Sequence, residues 1–340
     1  MSLAISQAAH WGVALVPVLL LLTLFLWLDA FKLMSLGEIL LLLVAGGVGA
    51  GIAWPIAGRF LDALPIGFST YSRFVAPWIE EAIKCALMIL LFRLNRVGYK
   101  VDAVISGFAI GAGFALVENL TYLLHLGDAS PLVWLLRGFG TAMLHGGSTA
   151  ILGIVASSLA ERRGAQRWPI YLPGLAIAIA IHIAYNSAVL SPVASAAAIL
   201  AGLPVLLGVV FLQSEASLRR WLGEGLDKDV DLLLTISGGG LSETHAGRYL
   251  KTLKTSFPPE VVGDMLCLLQ LSLELGAKAK GDLLLREMDF EVPPDPTVPA
   301  RLKELQYLEK SIGTAGRRAM APLLSRSTRD LWQLHMLREE

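Results

Sequence analysis

The sequence contains little charge and almost no cysteine. Only 16% of its 340 residues are charged, against about 25% in soluble globular domains. The two cysteines, Cys85 and Cys267, make neither a metal-binding nor a disulfide pattern. The net charge is zero and no long basic run occurs, which excludes the electrostatic footprint of a nucleic-acid-binding protein. We therefore expect no nucleic-acid partner.

Apolar residues are in excess, at 55% of the chain against roughly 45–50% in soluble domains, and they are concentrated in its first two thirds. Residues 1–213 hold 11 of the 28 Lys and Arg residues and 9 of the 28 Asp and Glu residues. Residues 214–340 have the charge density of ordinary soluble protein. This division predicts a transmembrane domain at 1–213 and a soluble, mostly helical cytoplasmic domain at 214–340.

Apolar stretches long enough to cross a bilayer, about 20 residues each, recur seven times. They lie near 11–30, 37–58, 74–93, 101–124, 133–158, 170–190 and 194–213. The predicted fold class is therefore all-α, a polytopic membrane helix bundle of about seven spans with a C-terminal soluble helical domain. The first stretch lacks a basic flank and a cleavage site, so we expect it to be retained as a span.

Basic residues in the short loops predict the orientation. The loops after spans three, five and seven carry Arg93, Arg96, Lys100, Arg162, Arg163, Arg167, Arg219 and Arg220. Alternating spans place these three loops on one side, which the positive-inside rule makes cytoplasmic. We expect an integral protein of the bacterial inner membrane with its N-terminus outside and its C-terminal domain in the cytoplasm.

Six ionisable side chains lie deep within the predicted spans, away from the membrane surfaces, where each costs at least a few kcal/mol and marks a functional site by default. They are Glu80, Glu81 and Lys84 in span three, Glu118 in span four, His145 in span five and His182 in span six. At about 1.5 Å of rise per residue, one Glu or His from each of these four spans lies roughly 9–12 Å from the outer end of its helix. We therefore expect these six residues, called the polar cluster below, to meet in one layer.

Each of these residues also has a simpler role open to it. Glu80 and Lys84 have i, i+4 spacing and predict an ion pair on one helix face. Glu81 points about 100° away and needs another partner or a proton. Taken alone, Asn119 and Asn186 favour ordinary hydrogen bonds between helices. The small residues Gly46, Gly47, Gly49, Gly51, Gly107, Gly111 and Gly113 predict close helix packing rather than chemistry.

The composition of the polar cluster fits peptide hydrolysis. That reaction needs a base for water, an acid for the leaving amine and donors for the developing oxyanion, and Glu, His and Asn side chains cover these roles. The sequence has neither a Gly-x-Ser-x-Gly elbow nor a His-Glu-x-x-His zinc helix. Ser148 lies three residues after His145 on the same helix, so its hydroxyl is poorly placed to be a nucleophile with His145 as its base.

Four motifs occur in order on separate spans. They are Glu80-Glu81-Ala-Ile-Lys84, Phe114-Ala-Leu-Val-Glu118-Asn119, His145, and His182-Ile-Ala-Tyr-Asn186. Over roughly residues 70–190 they resemble the PrsW family of intramembrane proteases and, more distantly, the CAAX prenyl endopeptidases. Glu118 is the PrsW-like variant of a position where the CAAX group has His. Asn186 matches the CAAX group, since PrsW-like proteins often have Asp there.

The resemblance implies an intramembrane endopeptidase that cleaves a membrane-anchored protein near the outer leaflet, in site-2-like regulated proteolysis of a signalling pathway. The catalytic candidates are Glu80, Glu81, Glu118, His145, His182 and Asn186, supported by Lys84 and Asn119. In the favoured glutamic-type arrangement, Glu80 or Glu81 activates water. His182 and Asn186 then stabilise the oxyanion, while Glu118 and His145 orient or share protons.

A zinc mechanism stays open beside the glutamic one. Its ligands would be His145, His182 and either Glu81 or Glu118, a two-His, one-carboxylate set. These residues lie one per helix and have no local spacing typical of a metal site. We therefore favour no metal and no other cofactor, with zinc as the alternative.

A proton-coupled membrane transporter is the alternative function, because it would also hold Glu and His residues at one depth. The chain shows no internal repeat of the kind common in transporters, and the polar cluster lies nearer one face. A catalytically inactive membrane receptor is a third hypothesis. The expected partners are the lipid bilayer, a membrane-anchored protein substrate, and a cytoplasmic protein or a second copy bound through 214–340.

Overall fold

The computed structural model describes residues 34–125, 131–165, 167–187, 192–288, 290–324 and 328–339, together with residues 16, 20, 22 and 23. Helices joined by short connections make up these residues, and no strand occurs among them. The all-α prediction is therefore confirmed for the described part of the chain. The predicted span near 11–30 lies outside the described residues, apart from the four isolated positions.

The chain divides into two compact units, residues 1–215 and 216–340. The helices up to the division are α1 Leu36–Ala63, α2 Phe68–Phe74, α3 Ala76–Arg93, α4 Lys100–His125, α5 Pro131–Arg163, α6 Leu172–Asn186 and α7 Pro192–Ser237, which contains it. The helices after it are α8 His245–Leu253, α9 Pro259–Glu287, α10 Val298–Ser311, α11 Gly313–Met320 and α12 Thr328–Glu339. Short 3₁₀ turns, Trp168–Tyr171 and Gly240–Glu243, precede α6 and α8.

Four helical segments in the described residues are long and apolar enough to cross a membrane. They are Leu36–Ala63, Lys100–Tyr122, Gly140–Arg162 and Trp168–Asn186, and they correspond to predicted spans two, four, five and six. Helix α3 occupies predicted span three but carries four charged residues within its 18. Predicted span seven, 194–213, lies within α7. The total of seven spans stays a prediction.

Local hydrogen bonds explain where two of these helices begin. Ser35 and Glu38 form a capping box at the start of α1, in which the Glu38 N–H donates to the Ser35 hydroxyl and the Ser35 N–H donates to the Glu38 carboxylate. At the start of α4, the Asp102 carboxylate accepts from the N–H groups of Gly98 and Tyr99. Asp102 therefore has a structural role at the helix end opposite Glu118.

Helix α4 is buried along most of its length and packs against both α1 and α5. Glycines allow the close approach, since a Cβ on Gly46 would lie 1.9 Å from the carbonyl oxygen of Ile110, and a Cβ on Gly111 would lie 2.1 Å from that of His145. The packing prediction is confirmed at Gly46, Gly107, Gly111 and Gly113. Gly51 does not follow it within the described residues, where no atom lies within 4 Å of such a Cβ.

The second unit has an apolar core of its own, built mainly from α8, α9 and α10. Its buried side chains include Leu250, Met265, Leu275 and Leu305. A separate core of this kind is what an independently folding helical domain requires. The solubility and cytoplasmic location of 214–340 stay predictions.

Replacing Gly46 by Ala should destabilise the first unit by about 1–3 kcal/mol, because the new methyl group would collide with the backbone of Ile110 and force the two helices apart. Thermal unfolding of the detergent-solubilised protein measures the effect. Gly51→Ala is the matched control on the same helix and should leave the midpoint unchanged or slightly higher, since Ala favours helix over Gly. Equal midpoints for the two variants would contradict the close crossing.

Candidate active site

The polar cluster forms where four helices of the first unit meet. Glu81 lies five residues after the start of α3, Glu118 seven residues before the end of α4, and His182 four residues before the end of α6. His145 comes from α5 and lies 14 residues after its first residue, Pro131, which is two residues before the predicted span. The structure thus brings the predicted residues together in one layer, and the roles assigned to them stay predictions.

Five of the side chains form one continuous chain of contacts. Lys84 Nζ lies 2.6 Å from Glu81 Oε1 and 2.9 Å from His145 Nδ1. His145 Nε2 lies 2.7 Å from Glu118 Oε2. At the other end, His182 Nδ1 lies 2.8 Å from Glu81 Oε1. The order is Glu118, His145, Lys84, Glu81, His182.

The charged groups determine where the protons lie in this chain. The Lys84 ammonium has only donors, so His145 Nδ1 accepts from it and the His145 Nε2–H donates to Glu118. The Glu81 carboxylate has only acceptors, so the His182 Nδ1–H donates to it. His182 Nε2 lies 3.8 Å from Glu80 Oε2.

Exposure differs sharply within the polar cluster. The side chains of Glu81 and Lys84 are 0% exposed, whereas those of Glu80 and Glu118 are 18% and 25% exposed. Buried charges are tolerated only when hydrogen bonds satisfy them, and Glu81 accepts from Lys84 and His182 and contacts the Ser148 hydroxyl. The carboxylates of Glu80 and Glu118 are thus the more accessible ones of the cluster.

The predicted pair between Glu80 and Lys84 is wrong, because Lys84 binds Glu81 instead. Glu81 is on the interior side of α3, where His182 also donates to it. Glu80 points elsewhere around the helix, and its buried Oε2 has no hydrogen-bond partner among the residues described. Glu80, not Glu81, is thus the carboxylate left available.

The two asparagines occupy different surroundings. Asn119 is fully buried beside Glu118 in α4. Asn186 lies at the end of α6, where its Nδ2 donates to the backbone carbonyl of Ser72 in α2 at 3.0 Å. Asn186 therefore connects two helices, and the oxyanion role predicted for it stays a prediction.

Two further residues belong to the cluster but were not among the predicted site residues. Ser148 Oγ lies 3.2 Å from the His145 carbonyl oxygen and 3.3 and 3.4 Å from the two carboxylate oxygens of Glu81, so its single O–H is shared among these acceptors. The Phe114 ring centroid lies 5.1 Å from Lys84 Nζ and 5.1 Å from the ring centroid of His145. Two sequence features indicate that these residues lie near the cluster. Ser148 follows His145 by one helical turn, and Phe114 belongs to the motif that contains Glu118.

In the described part of the chain, Glu80, His145 and His182 have ligand atoms close enough to hold a metal ion, all within 4.8 Å of one another. Two His and one carboxylate suit zinc. Glu81 also contacts His182 through Nδ1, and carboxylates commonly bind the ring nitrogen of a metal-binding histidine that does not hold the metal. The donor set therefore fits a metal, although its carboxylate is Glu80 where the sequence analysis had Glu81 or Glu118.

Comparison with known proteins identifies the family. The sequence model of the PrsW family intramembrane metalloprotease matches residues 34–213, just over half of the chain and all of the polar cluster. Searches of the curated proteins and of the solved structures returned no match. The family match supports a peptidase and does not favour the transporter alternative. The chain belongs to the PrsW family of intramembrane proteases and is an integral membrane peptidase.

Proposed function

We propose that this protein hydrolyses a peptide bond of a membrane-anchored protein by a glutamic-type mechanism in which Glu80 is the base. The proposal rests on the difference between Glu80 and its neighbours in hydrogen bonding. The chain from Glu118 to His182 holds the side chains around Glu80 in fixed positions, whereas the buried Oε2 of Glu80 has no hydrogen-bond partner in the described structure. A partly exposed carboxylate in such a setting is suited to accept a proton from water.

The other members of the polar cluster orient the reacting groups and stabilise the charge that develops during the reaction. Glu81 anchors His182 and balances the charge of Lys84. In the reaction, Glu80 takes a proton from water as the water oxygen bonds to the scissile carbonyl carbon. Glu80 then returns the proton to the amide nitrogen as the C–N bond breaks. The positive charge of Lys84, held in an interior of low dielectric, favours the negative charge that develops on the carbonyl oxygen.

A metal ion in this site would be held by Glu80, His145 and His182. When bound, it would supply a more acidic water and a Lewis acid for the carbonyl. Both ring nitrogens of His145 are already engaged, one with Lys84 and one with Glu118. His145 would have to release one of them to act as a ligand, and this is why we favour the metal-free arrangement.

The substrate is proposed to be a single-span protein cut near the outer end of its helix, releasing a signalling factor. Glu81, Glu118 and His182 all lie within about two turns of a helix end in α3, α4 and α6. A helical segment hides its amides, and unwinding is easiest near the membrane surface, where water is available.

We also propose seven spans with the N-terminus outside and a soluble unit, 214–340, in the cytoplasm of a bacterium. In the inner membrane, a fluorescent-protein fusion at the C-terminus should fluoresce and an alkaline-phosphatase fusion there should be inactive, because the latter folds only outside. A matched pair of fusions after Arg167 should give the same result, since that loop is also predicted to be cytoplasmic. Active phosphatase at either site would contradict this topology.

Glu80→Gln should lower cleavage by at least about 100-fold without lowering the unfolding temperature, because the exchange removes the base and breaks no hydrogen bond of the carboxylate in the described structure. Glu81→Gln should instead lower stability by about 3–5 kcal/mol, because it leaves Lys84 buried without its counter-charge. The measurements are cleavage of a panel of single-span substrates in proteoliposomes and thermal unfolding. Glu161→Gln, toward the other end of α5, is the control.

Full cleavage by Glu80→Gln would rule out Glu80 as the base. Equal unfolding temperatures for Glu80→Gln and Glu81→Gln would contradict the different environments of the two carboxylates.

Cleavage should survive dialysis of the reconstituted enzyme against a strong chelator, because Lys84 and the hydrogen-bonded carboxylates already supply the charge stabilisation assigned to the site. The measurement is initial rate before and after dialysis, with bound zinc quantified by mass spectrometry. A zinc protease inhibited by the same treatment serves as control. Loss of activity that added zinc restores would assign Glu80, His145 and His182 as metal ligands instead.

A further inference from the structure

Tyr71 is an unexpected buried residue in the short helix α2. Its side chain is 3% exposed, although Phe68 and Phe74 of the same helix are 64% and 50% exposed. The Tyr71 hydroxyl is buried and has no hydrogen-bond partner among the residues that the structure describes. Buried tyrosine hydroxyls usually have a partner, and an unsatisfied one costs about 1–3 kcal/mol. The Tyr71 hydroxyl is therefore available to donate a hydrogen bond to a substrate.

Tyr71 is close enough to Glu80 for the two groups to interact electrostatically. Burial raises the pKa of the Tyr71 phenol, and the charge of Glu80 raises it further. A phenol with a raised pKa keeps its proton at neutral pH and remains a hydrogen-bond donor. The buried Oε2 of Glu80 is likewise without a hydrogen-bond partner in the described residues. Helices α2 and α3 pack together, so this donor and this acceptor lie on neighbouring helices of the site.

Helix α2 is held in place by two helices of the site. Helix α2 packs against α3, which carries Glu80, and against α6, which carries His182. The Asn186 side chain, one turn after His182, donates to the carbonyl of Ser72, which is the residue next to Tyr71. Asn186 thus fixes the backbone of α2 at the point from which the Tyr71 side chain projects.

We propose that Tyr71 is a catalytic residue whose hydroxyl donates a hydrogen bond to the carbonyl oxygen of the scissile peptide, and that Asn186 is a positioning residue for it. This inference rests on the proposed function and adds the oxyanion donor to it. As water adds to the carbonyl carbon, the π electron pair moves to the carbonyl oxygen and Glu80 receives the proton of the water. Tyr71 keeps its own proton throughout and stabilises the oxyanion until the C–N bond breaks.

The decisive experiment compares Tyr71→Phe with Tyr99→Phe in proteoliposomes. Tyr99 is a second buried tyrosine, 1% exposed, and it precedes α4 at the end far from Glu118, so it controls for the loss of a buried hydroxyl. Tyr71→Phe should lower kcat by about 100-fold, the usual effect of losing one oxyanion donor, with KM within about twofold of wild type because the contact forms in the transition state. Tyr99→Phe should leave both constants unchanged.

Unchanged kcat in Tyr71→Phe, with Glu80→Gln inactive, would overturn this inference and leave the proposed function standing. Full cleavage by Glu80→Gln would instead overturn the proposed function itself. Thermal unfolding verifies that each variant is folded. If Tyr71→Phe is not, 3-fluorotyrosine at position 71 keeps the fold and makes the phenol more acidic; an altered kcat supports the inference, and an unaltered kcat overturns it.

A double-mutant cycle tests the role of Asn186. Asn186→Ala should lower kcat in the wild-type background and have little further effect in Tyr71→Phe, because both changes remove the same contact. Additive losses of kcat would show that Asn186 acts independently of Tyr71 and would overturn its assignment as a positioning residue.

Discussion

The buried ion pair between Lys84 and Glu81 is the interaction on which the rest of the site depends. Neither side chain has contact with solvent, and in a membrane each charge alone would be strongly unfavourable. The pair does not satisfy itself, since an ammonium has three donors and a carboxylate about four acceptor positions. Lys84 therefore also needs His145, and Glu81 also needs His182 and Ser148. The requirement to satisfy two charges selects one arrangement of four helices.

This electrostatic requirement explains the close packing of α4 and α5. His145 must reach both Lys84 and Glu118, so its helix has to approach α4 closely. Gly111 permits that approach, because a Cβ there would lie 2.1 Å from the His145 carbonyl oxygen. Without an apolar driving force between helices in lipid, small residues and hydrogen bonds are what hold such a contact together. Packing and site chemistry thus depend on the same crossing.

Sequence patterns predicted the helices and the meeting of the charged residues, because both follow from a fixed rise per residue and from the cost of charge in lipid. They predicted the wrong glutamate for Lys84, Glu80 in place of Glu81. Spacings of three and four residues both lie on one helix face, and the choice of Glu81 is made by His182, which is 101 residues away. Tyr71 was missed for a similar reason, since one tyrosine in a short segment has no periodicity and its burial depends on α3 and α6.

The contrast between Glu80 and Glu81 shows how two adjacent carboxylates acquire different tasks. They differ by about 100° around one helix, and this rotation alone puts one among three donors and leaves the other at a partly exposed edge. A protease within a membrane has to keep a carboxylate reactive in surroundings that penalise its charge. Fixing the compensating charges on the neighbouring residue meets this need, because the positive potential of Lys84 then acts on Glu80 without a direct bond that would block it. In the proposed mechanism the Glu-Glu pair therefore consists of one anchor, Glu81, and one reactive group, Glu80.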